Sequence, residues 1–299
     1  GRCSLRFSIY RNLERWQMKI FIRAHDLGVK DIGPIAEKLC EYELDGVQFV
    51  GYKCLSDVKQ TVGSFTQAHA ENVAKTLKNV NKTIPLIGAY FNPVHPNLDK
   101  RSAGIALFRE YIDYAKALGS SYVGSETGSC LGEPWAYHPD NRTEKSYATV
   151  VETFRSLADY AAERGVNIAM EGAFGHVAYC PEMLDELVRR IDRKNIGIIF
   201  DLYNYLAPEN YLEAYDILDR GLSIFGDQIL LFHIKDFVVA DDGSLKQVSV
   251  GQGILDFDKI LEKIYNHNPD ALLVFEGTVG DELPESIRFI KEKIKKIKA

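Results

Sequence analysis

The chain has 299 residues, enough for one large α/β barrel or for two ordinary domains. Hydrophobic residues make up 46% and charged residues 26%, which excludes a largely disordered chain. The net charge of −6 excludes a nucleic-acid-binding protein that depends on a broad basic face. No apolar run reaches the roughly 18 residues of a membrane span, so we expect no membrane partner.

The five cysteines are widely spaced and form no C-x-x-C pair. An odd number at such spacing predicts free thiols in a reducing compartment, and therefore a cytoplasmic protein. The sequence as given contains no signal peptide pattern, and its first residue, Gly1, leaves open a leader removed before it.

Short apolar runs alternate with amphipathic stretches of helical period along the chain. The pattern predicts strands over residues 19–24, 46–51, 86–91, 122–125, 167–171, 197–201, 229–233 and 272–276. Between them it predicts helices over residues 31–43, 66–80, 102–118, 144–164, 181–190, 210–223 and 258–266. Strand–helix alternation of this kind predicts parallel strands joined by crossover helices.

Eight strand–helix units in a chain of this length predict a single (β/α)8 TIM barrel over residues 18–299, preceded by a lead-in of residues 1–17. A doubly wound open sheet is the alternative. It usually carries a Gly-rich phosphate turn after the first strand, and residues 24–30 do not form such a turn.

Four consecutive strands each end in a side chain that can bind a metal. The strand ends are Glu171, Asp201, His233 and Glu276. Active sites of such barrels lie at the carboxyl ends of the strands, so these side chains are expected to converge. Three carboxylates and one imidazole would repel one another without a cation between them. The donor set predicts one divalent metal ion, with Mn²⁺ favoured and Mg²⁺, Co²⁺ or Zn²⁺ as alternatives.

The same residues carry a resemblance to a known family. The Glu, Asp, His, Glu series is similar to that of the xylose isomerase-like TIM barrel superfamily, and more narrowly of its sugar phosphate isomerase/epimerase family, which includes the ketose 3-epimerases. Matching stretches are R-A-H-D at 23–26, D-G-V-Q at 45–48, G-S-E-T-G at 124–128, H-I-K-D at 233–236 and G-Q-G-I-L-D-F at 251–257. The resemblance covers nearly the whole chain from residue 18.

The resemblance implies one metal ion held by all four residues, with Glu171 and Glu276 also acting as catalytic acid and base from opposite faces of a sugar. Two departures from the epimerases stand out. Asn204 occupies the place of the histidine in their D-x-x-H motif, and no arginine follows His233 at their usual distance. These departures imply that the substrate is held differently.

Loops after the strands are expected to supply the substrate contacts. The candidates are His25, Asn92, His95, Glu126, Trp135, Asn204 and Lys235. Trp135 lies in a long loop, and sugar faces stack on aromatic rings. The stretch 251–253 offers two glycines whose backbone N–H groups could bind an anion, which is a weak phosphate signal.

We therefore predict a metal-dependent carbohydrate isomerase or epimerase that abstracts a proton next to a carbonyl and forms an enediolate. A lyase or dehydratase acting on a keto-sugar or keto-inositol through the same site is one alternative. A sugar-binding barrel without catalysis is another. The expected partner is a small carbohydrate. Barrels of this kind often form homo-oligomers, but no surface pattern identifies an interface.

Overall fold

The computed structural model describes residues 18–297, so the predicted lead-in of residues 1–17 lies outside the described residues. Eight parallel strands form a closed barrel, namely β1 (Lys19–Arg23), β2 (Gly46–Phe49), β3 (Thr83–Gly88), β4 (Tyr122–Glu126), β5 (Asn167–Glu171), β6 (Ile196–Asp201), β7 (Ile229–Ile234) and β10 (Leu272–Phe275). Their order around the barrel is β1-β10-β7-β6-β5-β4-β3-β2. The (β/α)8 fold predicted from the alternating pattern is confirmed.

The helices follow the strands along the chain and cover the barrel. They are α1 (Ile32–Glu41), α2 (Gly51–Cys54), α3 (Gln67–Asn79), α4 (Leu98–Tyr114), α5 (Glu144–Ala162), α6 (Pro181–Ile191), α7 (Ala214–Phe225), α8 (Phe257–His267) and α9 (Leu283–Ile297). Within residues 18–297, no helix combines the length and the apolar composition that crossing a bilayer requires.

The start of α4 differs from the sequence prediction. The helix begins at Leu98 rather than at residue 102, because the Asn97 side chain accepts hydrogen bonds from the backbone N–H groups of Asp99 and Lys100, at 2.9 and 3.1 Å. The predicted helix over residues 210–223 is divided, with a 3₁₀ turn at Tyr211–Glu213 before α7. Capping chemistry and short turns therefore move the helix boundaries without changing the topology.

An antiparallel hairpin, β8 (Asp236–Val239) and β9 (Leu245–Val248), follows β7 and was not predicted. Its first residue organises the glycine-containing stretch that follows the hairpin. The Asp236 carboxylate accepts hydrogen bonds from the backbone N–H groups of Gly251, Gly253 and Leu255, at 2.9 to 3.2 Å. A Cβ at position 253 would lie 2.1 Å from Asp236 Oδ1, so only glycine fits there. The anion bound by these N–H groups is thus a side chain of the protein itself.

Four of the cysteines, Cys40, Cys54, Cys130 and Cys180, are free thiols, as the spacing predicts. Most of the buried apolar side chains pack between the strands and the helices. A smaller apolar layer fills the inside of the barrel. Its buried members are Phe21, Leu86, Ala169, Ile199, Leu231 and Val274. This layer forms the floor beneath the carboxyl ends of the strands.

Candidate active site at the carboxyl ends of the strands

The site is positioned by the two-residue period of the strands. Side chains two residues apart on a strand point to the same side, so the residue two positions after each member of the inner apolar layer also faces inward. In five strands that residue is polar, namely Arg23, Glu171, Asp201, His233 and Glu276. The apolar residues that fill the barrel therefore also determine which polar residues converge above them.

Glu171, Asp201, His233 and Glu276, called the ligand cluster below, come together as predicted. One potential ligand atom from each residue lies within 4.8 Å of the others. Nδ1 of His233 is 3.1 Å from Glu171 Oε1, 3.4 Å from Asp201 Oδ2 and 2.9 Å from Glu276 Oε2. Glu171, Asp201 and His233 are buried, and Glu276 is 15% exposed on the side of a cavity.

Two cations balance part of the negative charge of the ligand cluster. Lys235 Nζ lies 2.8 Å from Asp201 Oδ2 and 2.7 Å from Glu276 Oε1. Arg23 Nη1 lies 3.0 Å from the same Glu276 oxygen, and Arg23 also pairs with Asp26. Because the guanidinium is held by two carboxylates, its position beside Glu276 is fixed.

A chain of hydrogen bonds orients the imidazole of His233. The ring nitrogen Nε2 lies 2.7 Å from the side-chain oxygen of Gln48, which acts only as an acceptor. The Gln48 amide nitrogen in turn donates to the Tyr90 hydroxyl at 2.7 Å, and this hydroxyl donates to Glu171 Oε2 at 3.4 Å. With the Nε2 proton directed to Gln48, the lone pair of Nδ1 faces the three carboxylates in the neutral ring, as a metal ligand requires.

The pKa values of the two glutamates of the ligand cluster are shifted in opposite directions. Burial raises the pKa of Glu171 to about 7, although the neighbouring His233 opposes the shift. Burial acts in the same direction on Glu276, but Lys235, His233 and Arg23 hold its pKa well below its usual value. Burial disfavours the charged form of His233, yet Glu171 and Glu276 raise its pKa well above the ordinary range. The two carboxylates therefore face different local fields.

The ligand cluster fits a divalent metal ion. It offers three carboxylates and one imidazole in a buried space, a donor set suited to Mn²⁺, Mg²⁺, Co²⁺ or Zn²⁺. Oxygens of three carboxylates converge on His233 Nδ1, at distances of 2.9 to 3.4 Å. Carboxylates held this close together in a buried space repel one another unless a cation lies between them. All four residues would hold the metal.

Trp135 lines three cavities, with volumes of about 260, 410 and 490 Å³, and the smallest of them reaches the ligand cluster. The smallest is lined by Glu171, Glu276 and His25. Glu126 contributes to both this cavity and the largest one. Burial lowers the pKa of His25 to about 4, with Arg23 acting in the same direction, so this imidazole is neutral at pH 7.

Two of the predicted contact residues line the 410 Å³ cavity, further from the ligand cluster. The side chain of Asn92 is taken up by the backbone of two loops, because its amide nitrogen donates to Ser129 O and its oxygen accepts from the N–H groups of Val94 and Ser129. His95 Nδ1 accepts from the N–H of Asn97 at 2.9 Å. Both side chains fix loop conformation, and substrate contact by them stays a prediction.

Asn204 and Lys235, the other two predicted contact residues, form a bridge beside the ligand cluster. Asn204 Nδ2 donates to Glu171 Oε1 at 2.8 Å, and Lys235 Nζ donates to Asn204 Oδ1 at 2.9 Å. Asn204 also lines the 490 Å³ cavity. The asparagine found where the epimerases have histidine thus links Glu171 to Lys235.

Three residues of the site were not among the predicted site residues, namely Arg23, Gln48 and Tyr90. Arg23 follows Phe21 by two residues, and Phe21 belongs to the inner apolar layer, so the strand period could have identified it. Gln48 is completely buried near the end of its strand, a position where an uncharged polar residue needs a partner. Tyr90 lies just after β3, and nothing in the local sequence pattern distinguishes it.

Comparisons with known proteins identify relatives of this chain. The chain is 28% identical over 163 residues to an inosose isomerase of Bacillus licheniformis, which covers 52% of this chain and 54% of that protein. The chain spans roughly half to two thirds of the length of the curated relatives that it matches.

Two crystal structures share the fold. One is a D-tagatose 3-epimerase-like protein, with a TM-score of 0.72, 20% identity, and coverage of 94% of this chain and 98% of that one. The other is the IOLI protein with a bound zinc atom, with a TM-score of 0.69, 19% identity and the same coverage. A family model described as xylose isomerase-like TIM barrel matches residues 37–293. The closed eight-stranded barrel and this match together show that the chain belongs to the xylose isomerase-like TIM barrel family.

Proposed function

We propose that the chain is a metal-dependent isomerase or epimerase of a carbohydrate, which transfers a proton at a carbon next to a carbonyl through an enediolate. The observation that carries this proposal is the placement of Glu171 and Glu276. They stand on β5 and next to the end of β10, they flank His233, and both line the 260 Å³ cavity. A binding protein has no need of two carboxylates arranged in this way.

Each charged residue of the site has its own role in the proposed reaction. A divalent ion in the ligand cluster would polarise the substrate carbonyl and stabilise the negative charge that develops on it. One of Glu171 and Glu276 removes the proton from carbon, and the other returns a proton from its own side of the sugar. Arg23 and Lys235 both contact Glu276 Oε1, so they hold this carboxylate ionised and in place.

Substrate contacts are proposed for the residues around the cavities. They are His25, Asn92, His95, Glu126, Trp135, Asn204 and Lys235. Support is strongest for Trp135, whose side chain lines all three cavities and provides an apolar surface for a sugar ring. Among metals, Mn²⁺ is proposed first because carboxylate oxygens dominate the donor set, with Mg²⁺, Co²⁺ and Zn²⁺ as alternatives. The four free thiols support a cytoplasmic location.

The proposal is tested by hydrogen exchange at carbon. The purified protein is incubated with Mn²⁺ in D₂O, in parallel samples with 2-keto-myo-inositol, D-fructose, D-tagatose and a methyl 3-keto-glucoside. After a chelator has removed the metal, NMR follows deuterium incorporation into each sugar. We expect exchange with at least one sugar, lost when the chelator is added before the sugar. Retention of full exchange after complete metal removal, or no exchange by metal-loaded protein with any sugar, would contradict the proposal.

The mass of the product separates the proposed reaction from its closest alternative. Isomerisation or epimerisation leaves the mass unchanged, whereas elimination lowers it by one water or by an aglycone. Deuterium incorporation in D₂O, together with a product of unchanged mass when the reaction is run in ordinary water, therefore supports the isomerase. Loss of water would instead identify the protein as a dehydratase that uses the same ligand cluster.

A further inference from the structure

Glu126 and His176 form a pair of polar groups that take no part in the proposed proton transfer. Glu126 ends β4, where its backbone pairs with Glu171 of β5, and His176 lies in the loop after β5. Both side chains line the 490 Å³ cavity. The side chain of His176 is 6% exposed and that of Glu126 is 20% exposed. Their polar atoms thus meet at the wall of this cavity, and Glu126 also lines the 260 Å³ cavity beside the ligand cluster.

The two groups face each other without a hydrogen bond between them. His176 Nδ1 lies 3.8 Å from Glu126 Oε1, beyond hydrogen-bond distance. Nδ1 is buried and has no hydrogen-bond partner among residues 18–297. A buried nitrogen in this state costs free energy, and that cost is recovered when a ligand supplies the missing hydrogen bond.

The chemistry of the pair identifies the group that fits between them. Burial lowers the pKa of His176 to about 4, so the imidazole is neutral at pH 7 and its single proton can reside on either nitrogen. A hydroxyl oxygen about 2.8 Å from both atoms spans the gap. Burial raises the pKa of Glu126 to about 7, with Glu276 acting in the same direction, so both forms of this carboxyl group are present at pH 7. A hydroxyl group fits either form: it accepts from His176 Nδ1–H and donates to the carboxylate, or it donates to the Nδ1 lone pair and accepts from the protonated carboxyl group. The ionised form of Glu126 would repel a phosphate or carboxylate at this position.

We propose that Glu126 and His176 form a subsite that binds one hydroxyl group of a neutral polyol substrate and rejects an anionic group at the same position. The subsite rests on the proposed function, because it assumes that a carbohydrate occupies the cavity. Trp135 supports the arrangement, since its indole packs edge-on against the His176 ring, with the ring centres 5.8 Å apart. His176 is therefore held in position, and the pair determines which substrate hydroxyl is bound.

The direct test observes His176 in the wild-type protein. Protein labelled with ¹⁵N-histidine and loaded with Mg²⁺ is titrated with 2-keto-myo-inositol, D-fructose and D-tagatose in turn, and the ring nitrogen signals are recorded. The His176 signals are assigned by their loss in His176→Gln. We expect at least one of the polyols to shift the Nδ1 signal. If none of the three shifts it, the subsite is overturned, whatever the result of the exchange experiment.

Glu126→Gln provides the matched variant, because it keeps the shape of the side chain and removes the charge. With a sugar that exchanges deuterium, measured at pH 8 where the Glu126 carboxylate is the main form, we expect the KM to rise roughly 10- to 100-fold through the loss of one charge-assisted hydrogen bond, with a smaller change in kcat. The control is Glu152→Gln, an exposed glutamate of α5 on the outside of the barrel, which should behave as wild type. A KM within twofold of wild type in Glu126→Gln would overturn the subsite.

The two proposals fail in different ways. If the Nδ1 signal shifts but metal-loaded wild-type protein exchanges no deuterium, the proposed function fails and the subsite stands. If deuterium exchanges but no polyol shifts the His176 signal, the subsite fails and the function stands.

Discussion

The ligand cluster differs from the neighbouring cavity wall in whether its polar atoms have partners. The cavity wall is formed by His25, Glu126, Trp135 and His176. In the ligand cluster each carboxylate, the imidazole and each of the two neighbouring cations has at least one charged partner within 3.4 Å. In the cavity wall, Nδ1 of His25 and Nδ1 of His176 are buried without a hydrogen-bond partner among the described residues.

This difference indicates that the reaction depends on the ligand cluster and that the choice of substrate depends on the cavity wall. The ligand cluster is assembled by the protein alone and needs only a cation, so it indicates what chemistry takes place. The cavity wall keeps polar atoms ready for a ligand, so it indicates which molecule is bound. Changes in the ligand cluster should therefore reduce the rate for every substrate, whereas changes in the wall should alter the choice among substrates.

The largest effect is expected from Glu276→Gln in the ligand cluster. Loss of the proton-transferring carboxylate should lower kcat by roughly 10²- to 10⁴-fold for every sugar that the wild-type protein accepts. The rate of deuterium exchange at saturating Mn²⁺ measures this loss, with bound metal quantified in the same sample. A rate within tenfold of wild type, with metal bound, would remove Glu276 from the catalytic role.

The next effect concerns the stability that a metal adds. At a free metal concentration of 100 times Kd, a single site raises the free energy of unfolding by about 2.7 kcal/mol. We expect this increase in the wild-type protein and a clear reduction of it in Asp201→Asn, which weakens a buried ligand. Denaturant unfolding with Mn²⁺ and with chelator measures both. Equal metal-induced stabilisation of the two proteins would contradict the assignment of Asp201.

A smaller effect should follow from releasing the imidazole of His233. Gln48→Leu removes the oxygen that accepts the Nε2 proton, and loss of a group that orients a metal ligand typically costs 10- to 100-fold in metal affinity or activity. Gln48→Glu keeps an acceptor in place and should retain more metal affinity than Gln48→Leu. Calorimetric titration with Mn²⁺ compares the two variants, and equal affinities would contradict the role of the hydrogen bond.

The smallest effect tests the cavity wall through pH. The pKa of His176 is lowered from 6.5 to about 4 by burial, with Glu171 and Lys235 acting in opposite directions. Below pH 6.5 the unfolded chain binds this proton more readily than the folded protein, so the stability contributed by neutral His176 is lost as the pH falls towards 4. At pH 5.5 the loss relative to neutral pH is about 1.4 kcal/mol.

His176→Gln should remove that part of the pH dependence. Denaturant unfolding at pH 7.5 and 5.5 gives the difference for the variant and for wild type. His267→Gln serves as the control, because His267 ends α8 at the opposite end of the barrel. An unchanged pH dependence in His176→Gln would show that His176 is not held neutral in the folded protein.

The barrel and the ligand cluster could be predicted from the sequence because both depend on short-range patterns. Continuous apolar runs marked the strands, and a charged residue directly after such a run marked each ligand. Gln48 and Tyr90 could not be identified in this way, since their importance comes from side-chain contacts across the barrel with His233 and Glu171. The spacing between Glu126 and His176 likewise depends on how two neighbouring strands and their loops are placed.

The function of Asp236 shows a further limit of sequence reasoning. Asp236 lies three residues after His233, a position from which a carboxylate can orient a metal ligand. In the folded chain its carboxylate binds the backbone of residues 251–255 and so holds the segment after the hairpin in place. A carboxylate beside a metal ligand can thus stabilise a loop, and only the three-dimensional contacts distinguish the two roles.

The central claim is that the ligand cluster binds a metal ion and is not a permanent ion-pair network in which Lys235 neutralises Asp201 and Glu276. Anomalous diffraction from crystals soaked in Mn²⁺ tests this claim most directly. We predict one strong peak within coordination distance of Glu171, Asp201, His233 Nδ1 and Glu276. Absence of a peak at this position, with Lys235 still between Asp201 and Glu276, would contradict the account.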